Sequence, residues 1–335
     1  MDPDPNLNSP FHAGEREVQE RLGVRDKVEA YASRAVRDHL PEQHRAFYGE
    51  LPFVMIGSVD EQGRPWASLV AGRPGFIAST DPRRLDIAAR PLAGDPLATT
   101  LRPGADVGLL GIQLATRRRN RLNGRIAATG GQGFAVAIDQ TFGNCPRYIQ
   151  DRTVEILPAI DAPGPARAIE RSDRLGSRAR AIIAGADTLF VATAYAGEPL
   201  GRVRNPTLGV DVSHRGGKPG FVRVLDERTF AVPDFSGNNH FNTVGNIARN
   251  PKAGFLFLDF ATGDLVYLTG AAEIVWDGEE VQAFTAAERL IRCHVHEVIR
   301  VEGSLPLRFT FGSWSPLLER TGSWPLPLSE PLLMR

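Results

Sequence analysis

The chain has 335 residues, more than one ordinary hydrophobic core accommodates and comfortable for two. Its 42% hydrophobic and 23% charged content excludes a disordered or collagen-like polymer. Lys plus Arg (39) offset Asp plus Glu (39), so no summed field favours nucleic acid, and the longest apolar runs are strand-sized, too short to cross a bilayer.

The opening MDPDPNLNSP is too rich in proline and asparagine for a helix and reads as a flexible lead. From Glu15 to Leu40, apolar residues such as Val18, Leu22, Val28 and Tyr31 recur at helical spacing and predict one or two amphipathic helices before Pro41. Short β-type runs follow: FVMIGSV, the turn Asp60-Glu61-Gln62-Gly63, PWASLVAG, PGFIAS, ADVGLLGI, and RIAATGGQGFAVAI after an arginine-rich turn. Even spacing of short strands with glycine turns favours a small barrel over a βαβ arrangement. Two cysteines far apart, Cys145 and Cys293, with no basic-then-apolar leader, fit a reducing cytoplasm.

The second half repeats the scheme. LFVATAY answers FVMIGSV, Pro219-Gly220-Phe221 answers Pro74-Gly75-Phe76, AGFLFLDF answers DVGLLGI, and Leu268-Thr269-Gly270 answers Leu122-Asn123-Gly124. The register holds across the matches, which implies a duplication. It divides the chain into a helical lead (1–44), a first domain (45–160) and a second (161–335), with a helix expected from Gly278 to Leu290 and a proline-dense tail from Pro306 lying over a surface.

The densest polar segment is FAVPDFSGNNHFNTVGNIARN, which crowds Asp234, Ser236, Asn238, Asn239, Asn242 and Thr243 just after a strand. Such donors, with the start of a following helix, suit a phosphate; the same residues also suit an Asx-rich turn that satisfies its own backbone. Arg223 offers a planar cationic fork, or a plain edge-strand arginine, and Lys218 lies in DVSHRGGKPG, an anion-binding loop or a solvated hairpin. His214, His240 and Cys293-His294-Val295-His296 lack further ligands at metal spacing, so no metal site is expected. Cys145 has cationic neighbours but no local histidine, and reads as a packed cysteine at a domain seam. The run Arg117-Arg118-Arg119 with Arg121 and Arg125 reads as a solvated turn, with contact to a small anion as the alternative. No dinucleotide fingerprint, phosphate-loop motif, nucleophile elbow or zinc-protease motif occurs.

These segments together resemble the pyridoxamine 5'-phosphate oxidase-like superfamily of FMN-binding split barrels. FVMIGSVDEQGRPWASLVAG is similar to its opening hairpin, PGFVRV to its next strand, and the Asp234–Thr243 segment to its FMN-phosphate segment; FGNCPRYIQ is similar to an element of one subgroup. The resemblance implies a mainly β fold with flanking helices (α+β), two tandem split β-barrels, and FMN at the interface between barrels, usually in a homodimer. It sets Arg223 near the flavin, and Ser236, Asn239, Asn242 and Thr243 at the phosphate, with first-half arginines reaching over. Asn242 and Thr243 depart from the arginine and lysine of the family pattern. An FMN-dependent oxidoreductase drawing electrons from NAD(P)H or a redox carrier is the leading expectation, without a named catalytic side chain. A non-catalytic flavin or haem carrier and a deazaflavin-dependent reductase are the alternatives. No nucleic-acid or membrane partner is implied.

Overall fold

The computed structural model describes residues 9–161, 167–197 and 205–325; most of the proline-rich lead lies outside them. Three helices come first: α1 (Ala13–Arg21), α2 (Arg25–Ala35) and α3 (Glu42–Gly49). The start of α1 is fixed by reciprocal capping: the His12 imidazole accepts from Gly14 N at 3.0 Å while the Glu15 carboxylate accepts from His12 N at 2.9 Å.

The first half then runs β1 (Phe53–Val59), β2 (Pro65–Ala71), β3 (Ile77–Ala78), β4 (Arg84–Ile87), α4 (Leu97–Thr100), β5 (Asp106–Gln113), β6 (Arg118–Gly130) and β7 (Gly133–Asn144). After β8 (Arg152–Ile156), β9 (Ile169–Ser172) and α5 (Ser177–Gly185), the second half supplies β10 (Thr188–Tyr195), β11 (Gly209–Gly216), β12 (Arg223–Val224), β13 (Thr229–Phe235), α6 (Asn242–Arg249), β14 (Lys252–Leu258), β15 (Leu265–Val275), α7 (Glu279–Gln282), β16 (Ala287–Val301) and β17 (Leu307–Phe311).

The sheet orders are β2-β1-β5-β6-β7-β4-β3 and β11-β10-β14-β15-β16-β13-β12, the same topology twice. The second sheet gains β9 alongside β16, and β8 pairs with β17 across the chain. All pairings are antiparallel, and no ladder closes either sheet into a barrel among the described residues, so each is an open, split-barrel-like sheet flanked by helices. Shared irregularities support the repeat. The ladder shifts register at Gly124 and again at Gly270, where an added Cβ would meet Ala137 O or His294 O, each at 2.1 Å. Two expected elements need correction: the arginine-rich turn is drawn into β6 by its pairing with β5 and β7, and in place of a helix from Gly278 to Leu290, α7 ends at Gln282 and pairing of β16 with β13 and β15 draws residues from Ala287 onward into a strand.

The apolar strands are unbroken because both of their faces are covered. Along β1, Val54 and Ile56 enter the first-half core, whereas Phe53 and Met55 enter a core between the halves. On β10, Leu189 and Val191 face the second-half core, and Phe190 and Ala192 join Phe53 and Met55. The two sheets therefore pack on each other within the chain. Gly108 and Gly254, in matching positions of β5 and β14, set the approach: a Cβ would lie 2.4 Å from Val210 O at the first and 2.2 Å from Pro65 O at the second. Gly254→Ala is expected to cost roughly 1–3 kcal/mol through overpacking, visible as a lower urea midpoint, while Gly143→Ala, with open space around it, leaves the midpoint unchanged.

Candidate functional site

The pairing of halves leaves a cleft that both of them line. The first half contributes Arg119 and Arg121 from β6, then Cys145, Arg147 and Tyr148 beyond β7; the second contributes His214 and Arg215 from β11, Arg289 from β16, and the loop from Asp234 into α6. Strand alternation explains the first pair, since residues two apart on β6 share a face while Leu122 turns into the core.

Five guanidiniums converge here against three carboxylates, one of them the exposed Glu288, which accepts from Arg289 Nη2 at 2.6 Å. Asp211 accepts from Arg121 Nη1 at 3.1 Å, and both groups are buried. Asp234 accepts from Arg215 Nε and Arg289 Nη1, both at 2.9 Å. Arg119 and Arg147 have no carboxylate among the described residues. Arg119 donates to Cys145 O at 2.7 Å, and Arg147 to Ser236 Oγ at 2.8 Å and Gly237 O at 3.3 Å. Burial pulls the Arg119 and Arg121 guanidiniums below the ordinary arginine range, the cost of holding cations away from water.

His214 is buried, and desolvation, then Arg119 and Arg215, hold its imidazole well below its usual pKa, so it is neutral. Its Nδ1 accepts from Arg119 at 3.4 Å, which puts the proton on Nε2. That atom has no partner among the described residues, and neither have Arg121 Nε, Arg289 Nε or Asn144 Nδ2. All four are donors, the chemistry that complements an oxyanion.

The polar segment meets this cluster through the side chains of Asp234 and Ser236 and through its backbone. Five non-glycine residues adopt positive φ among the described residues, and Tyr148, Asn239 and Phe241 line the cleft. Such strain concentrates where a loop is shaped for a task. It aims the start of α6 at the arginines; α-helical bonding begins with Gly245 N to Phe241 O, leaving earlier N–H groups for a ligand.

Of the residues singled out in the sequence, Asp234, Ser236, Asn238, Asn239, Asn242 and Thr243 line the cleft. Several already have partners: Asn238 donates to Asn144 Oδ1 at 3.1 Å, Thr243 to Ser213 Oγ at 3.0 Å, and Asn242 to buried Glu15. Arg223 and Lys218 are elsewhere. Arg223 stacks 5.3 Å from the Trp324 ring, and Lys218 donates to Thr321 O at 3.0 Å. Arg125 sits 4.0 Å from Asp139. Arg119, Arg121, Arg147, Arg215 and Arg289 are the additions the fold makes.

The mate of this site in the first half is filled by the chain itself. By ladder register, Ser68 matches Ser213, Tyr267 matches Arg121, and α4 matches α6. There the Asp95 carboxylate accepts from Ser68 Oγ at 2.6 Å, Leu97 N at 2.7 Å and Tyr267 OH at 3.2 Å. The first half thus fills the corresponding position with its own carboxyl group, while the second keeps the donors and adds cations.

His240 lies behind the loop, its ring 5.2 Å from both Phe11 and Phe142, and burial lowers its pKa to about 4. A histidine depressed in the folded state contributes stability above its unfolded pKa, about 6.5, and that contribution is lost as pH falls toward 4. His12 and His214 act in the same direction; raised Glu15 and Asp95 act oppositely. His240→Leu is expected to flatten the acid limb by on the order of 3 kcal/mol between pH 6.5 and 4, measured by urea unfolding against pH.

Residues 175–308 match the family model described as Pyridoxamine 5'-phosphate oxidase. Among solved structures, a histidine-to-alanine variant of HupZ from Group A Streptococcus is 17% identical with a TM-score of 0.30, covering 38% of this chain and 98% of its own. HupZ itself is 19% identical with a TM-score of 0.28, covering 36% and 88%. A putative pyridoxamine 5'-phosphate oxidase from Lactobacillus delbrueckii is 15% identical with a TM-score of 0.30, covering 38% and 94%. No curated protein matches the chain. The family match gives residues 175–308 a pyridoxamine 5'-phosphate oxidase-like fold assignment. No helix among the described residues is long and apolar enough to cross a membrane.

Proposed function

We propose that the chain binds one phosphate-bearing cofactor of the flavin mononucleotide class in the cleft between its halves. The observation that carries this reading is the cluster of five guanidiniums at the start of α6, two of them without a carboxylate partner among the described residues, which balances a dianionic phosphate monoester. Arg119, Arg121, Arg147 and the first turn of α6 would hold the phosphate, with the neutral His214 Nε2–H as a further donor.

Binding, rather than turnover, is the activity these side chains support. Guanidiniums hold anions and move no protons near neutral pH. Bound flavin would supply electron transfer through its ring, and the protein would place and tune it. The cleft encloses about 100 Å³, enough for a phosphoryl group and below the roughly 300–1,000 Å³ of whole-ligand pockets.

Spectral titration with FMN, a deazaflavin and haem tests the reading. Saturable FMN binding at one per chain, with an affinity independent of protein concentration, is the expected result; a Soret band without flavin affinity selects haem and overturns it. Bound FMN that NAD(P)H or a reduced carrier bleaches would extend the function to an oxidoreductase.

A further inference from the structure

The pseudo-two-fold that builds the arginine cleft also builds its mate. Ladder register matches Ala71 with Gly216, and counting on from the ends of the matched ladders aligns Ala89 with Asp234, Gln132 with Arg289 and Ser304 with Arg147. Those four line a second cleft, of about 770 Å³, within the size range of sites that bury a whole small molecule.

Its chemistry has diverged from that of the first. Its wall is part apolar, from Ala71, Pro74, Phe76, Ala89, Leu92 and Pro306, and part polar, from Gln132, Ser304 and charged side chains. Gly72 shapes one wall, because a Cβ there would lie 2.3 Å from the Phe76 ring; Gly217 and Phe221 repeat the contact in the second half. Beside the cleft the Asp95 carboxyl group accepts from Ser68 Oγ and Leu97 N and occupies those donors, so they are not offered to a further anion. Among the lining residues the charges are Arg73, Arg90, Arg167 and Asp161. Arg73 is paired with Asp161 at 2.9 Å, which leaves two cations in excess.

We infer that this cleft is a second binding site, for an aromatic or otherwise apolar small molecule carrying a single anionic group. The volume sets the size, the alanine and proline walls set the apolar body, and the excess positive charge sets the anion. The inference stands independently of the flavin reading, since the two clefts share no lining residue.

The probes are 8-anilinonaphthalene-1-sulfonate and its neutral counterpart N-phenyl-1-naphthylamine, titrated by fluorescence into the full chain with excess FMN present. Saturable 1:1 binding of both is expected, undisturbed by FMN. Ala89→Trp fills the cleft and is expected to weaken both probes at least about ten-fold. Arg90→Glu is expected to weaken the sulfonate about ten-fold while leaving the neutral probe within about three-fold. Circular dichroism and a thermal melt confirm folding, and the Arg90→Glu comparison stands alone if Ala89→Trp does not fold. Absence of saturable binding, displacement by FMN, or equal affinity of the sulfonate for wild type and Arg90→Glu overturns the inference.

Discussion

Replacing Arg121 by alanine is expected to destabilise the fold by about 3 kcal/mol, within the roughly 3–5 kcal/mol that follows when one member of a buried ion pair is removed. The pair with Asp211 spans the two halves, and its side chains are 5% and 8% exposed. The Asp211 carboxylate would keep amide donors from Asn123 and Asn246, both at 2.8 Å, which sets the loss at the lower end of the range. The same variant loses the guanidinium that donates to Ser213 and packs 5.6 Å from the Phe142 ring. Urea unfolding measures the loss, and Asp211→Asn in the same chain should recover much of it because no stranded charge remains. A cost below about 1 kcal/mol would show that water reaches the pair and that the seam is looser than described.

Arg119→Met is expected to act with opposite signs on stability and binding. In the ligand-free protein the guanidinium is partly buried without a carboxylate partner among the described residues, and desolvation dominates its environment. A methionine of similar reach removes that penalty, so the unfolding midpoint should rise. Affinity for FMN should fall about 30-fold to 1,000-fold, equivalent to the roughly 2–5 kcal/mol of a truncated charge-assisted contact. Gain of stability with loss of ligand is what a residue kept for binding produces. A variant that loses both would mark Arg119 as structural.

The duplication was legible in the sequence because it lives in local signals. Turn tripeptides such as Pro74-Gly75-Phe76 and apolar strand runs keep their spacing whatever packs on them, and both sheets follow the predicted repeat. The polar loop was legible for the same reason. The arginines were not, because they converge from β6, the turn after β7, β11 and β16, segments up to 170 positions apart in the chain. A run such as RRRNRLNG has the composition of a solvated turn. Its strand character shows only in the alternation that turns Leu122 inward and Arg119 and Arg121 to the opposite face. Arg223 illustrates the converse: it aligned with a family position, yet on the two-residue edge strand β12 its side chain meets Trp324, from a tail that no local pattern ties to it. Asp95 was equally silent, a carboxylate in a proline-rich loop whose role depends on Tyr267 from the other half.

Isothermal titration of the full chain with FMN and with riboflavin, in wild type and in Arg119→Met, tests the central claim most directly. The two ligands differ only by the phosphate that the arginine cluster is held to recognise. One FMN per chain is expected, bound at least about 30-fold more tightly than riboflavin, with that preference largely abolished in Arg119→Met. Equal affinity for the two flavins in wild type, or an FMN affinity unchanged by Arg119→Met, would contradict the assignment of this cleft as the phosphate site.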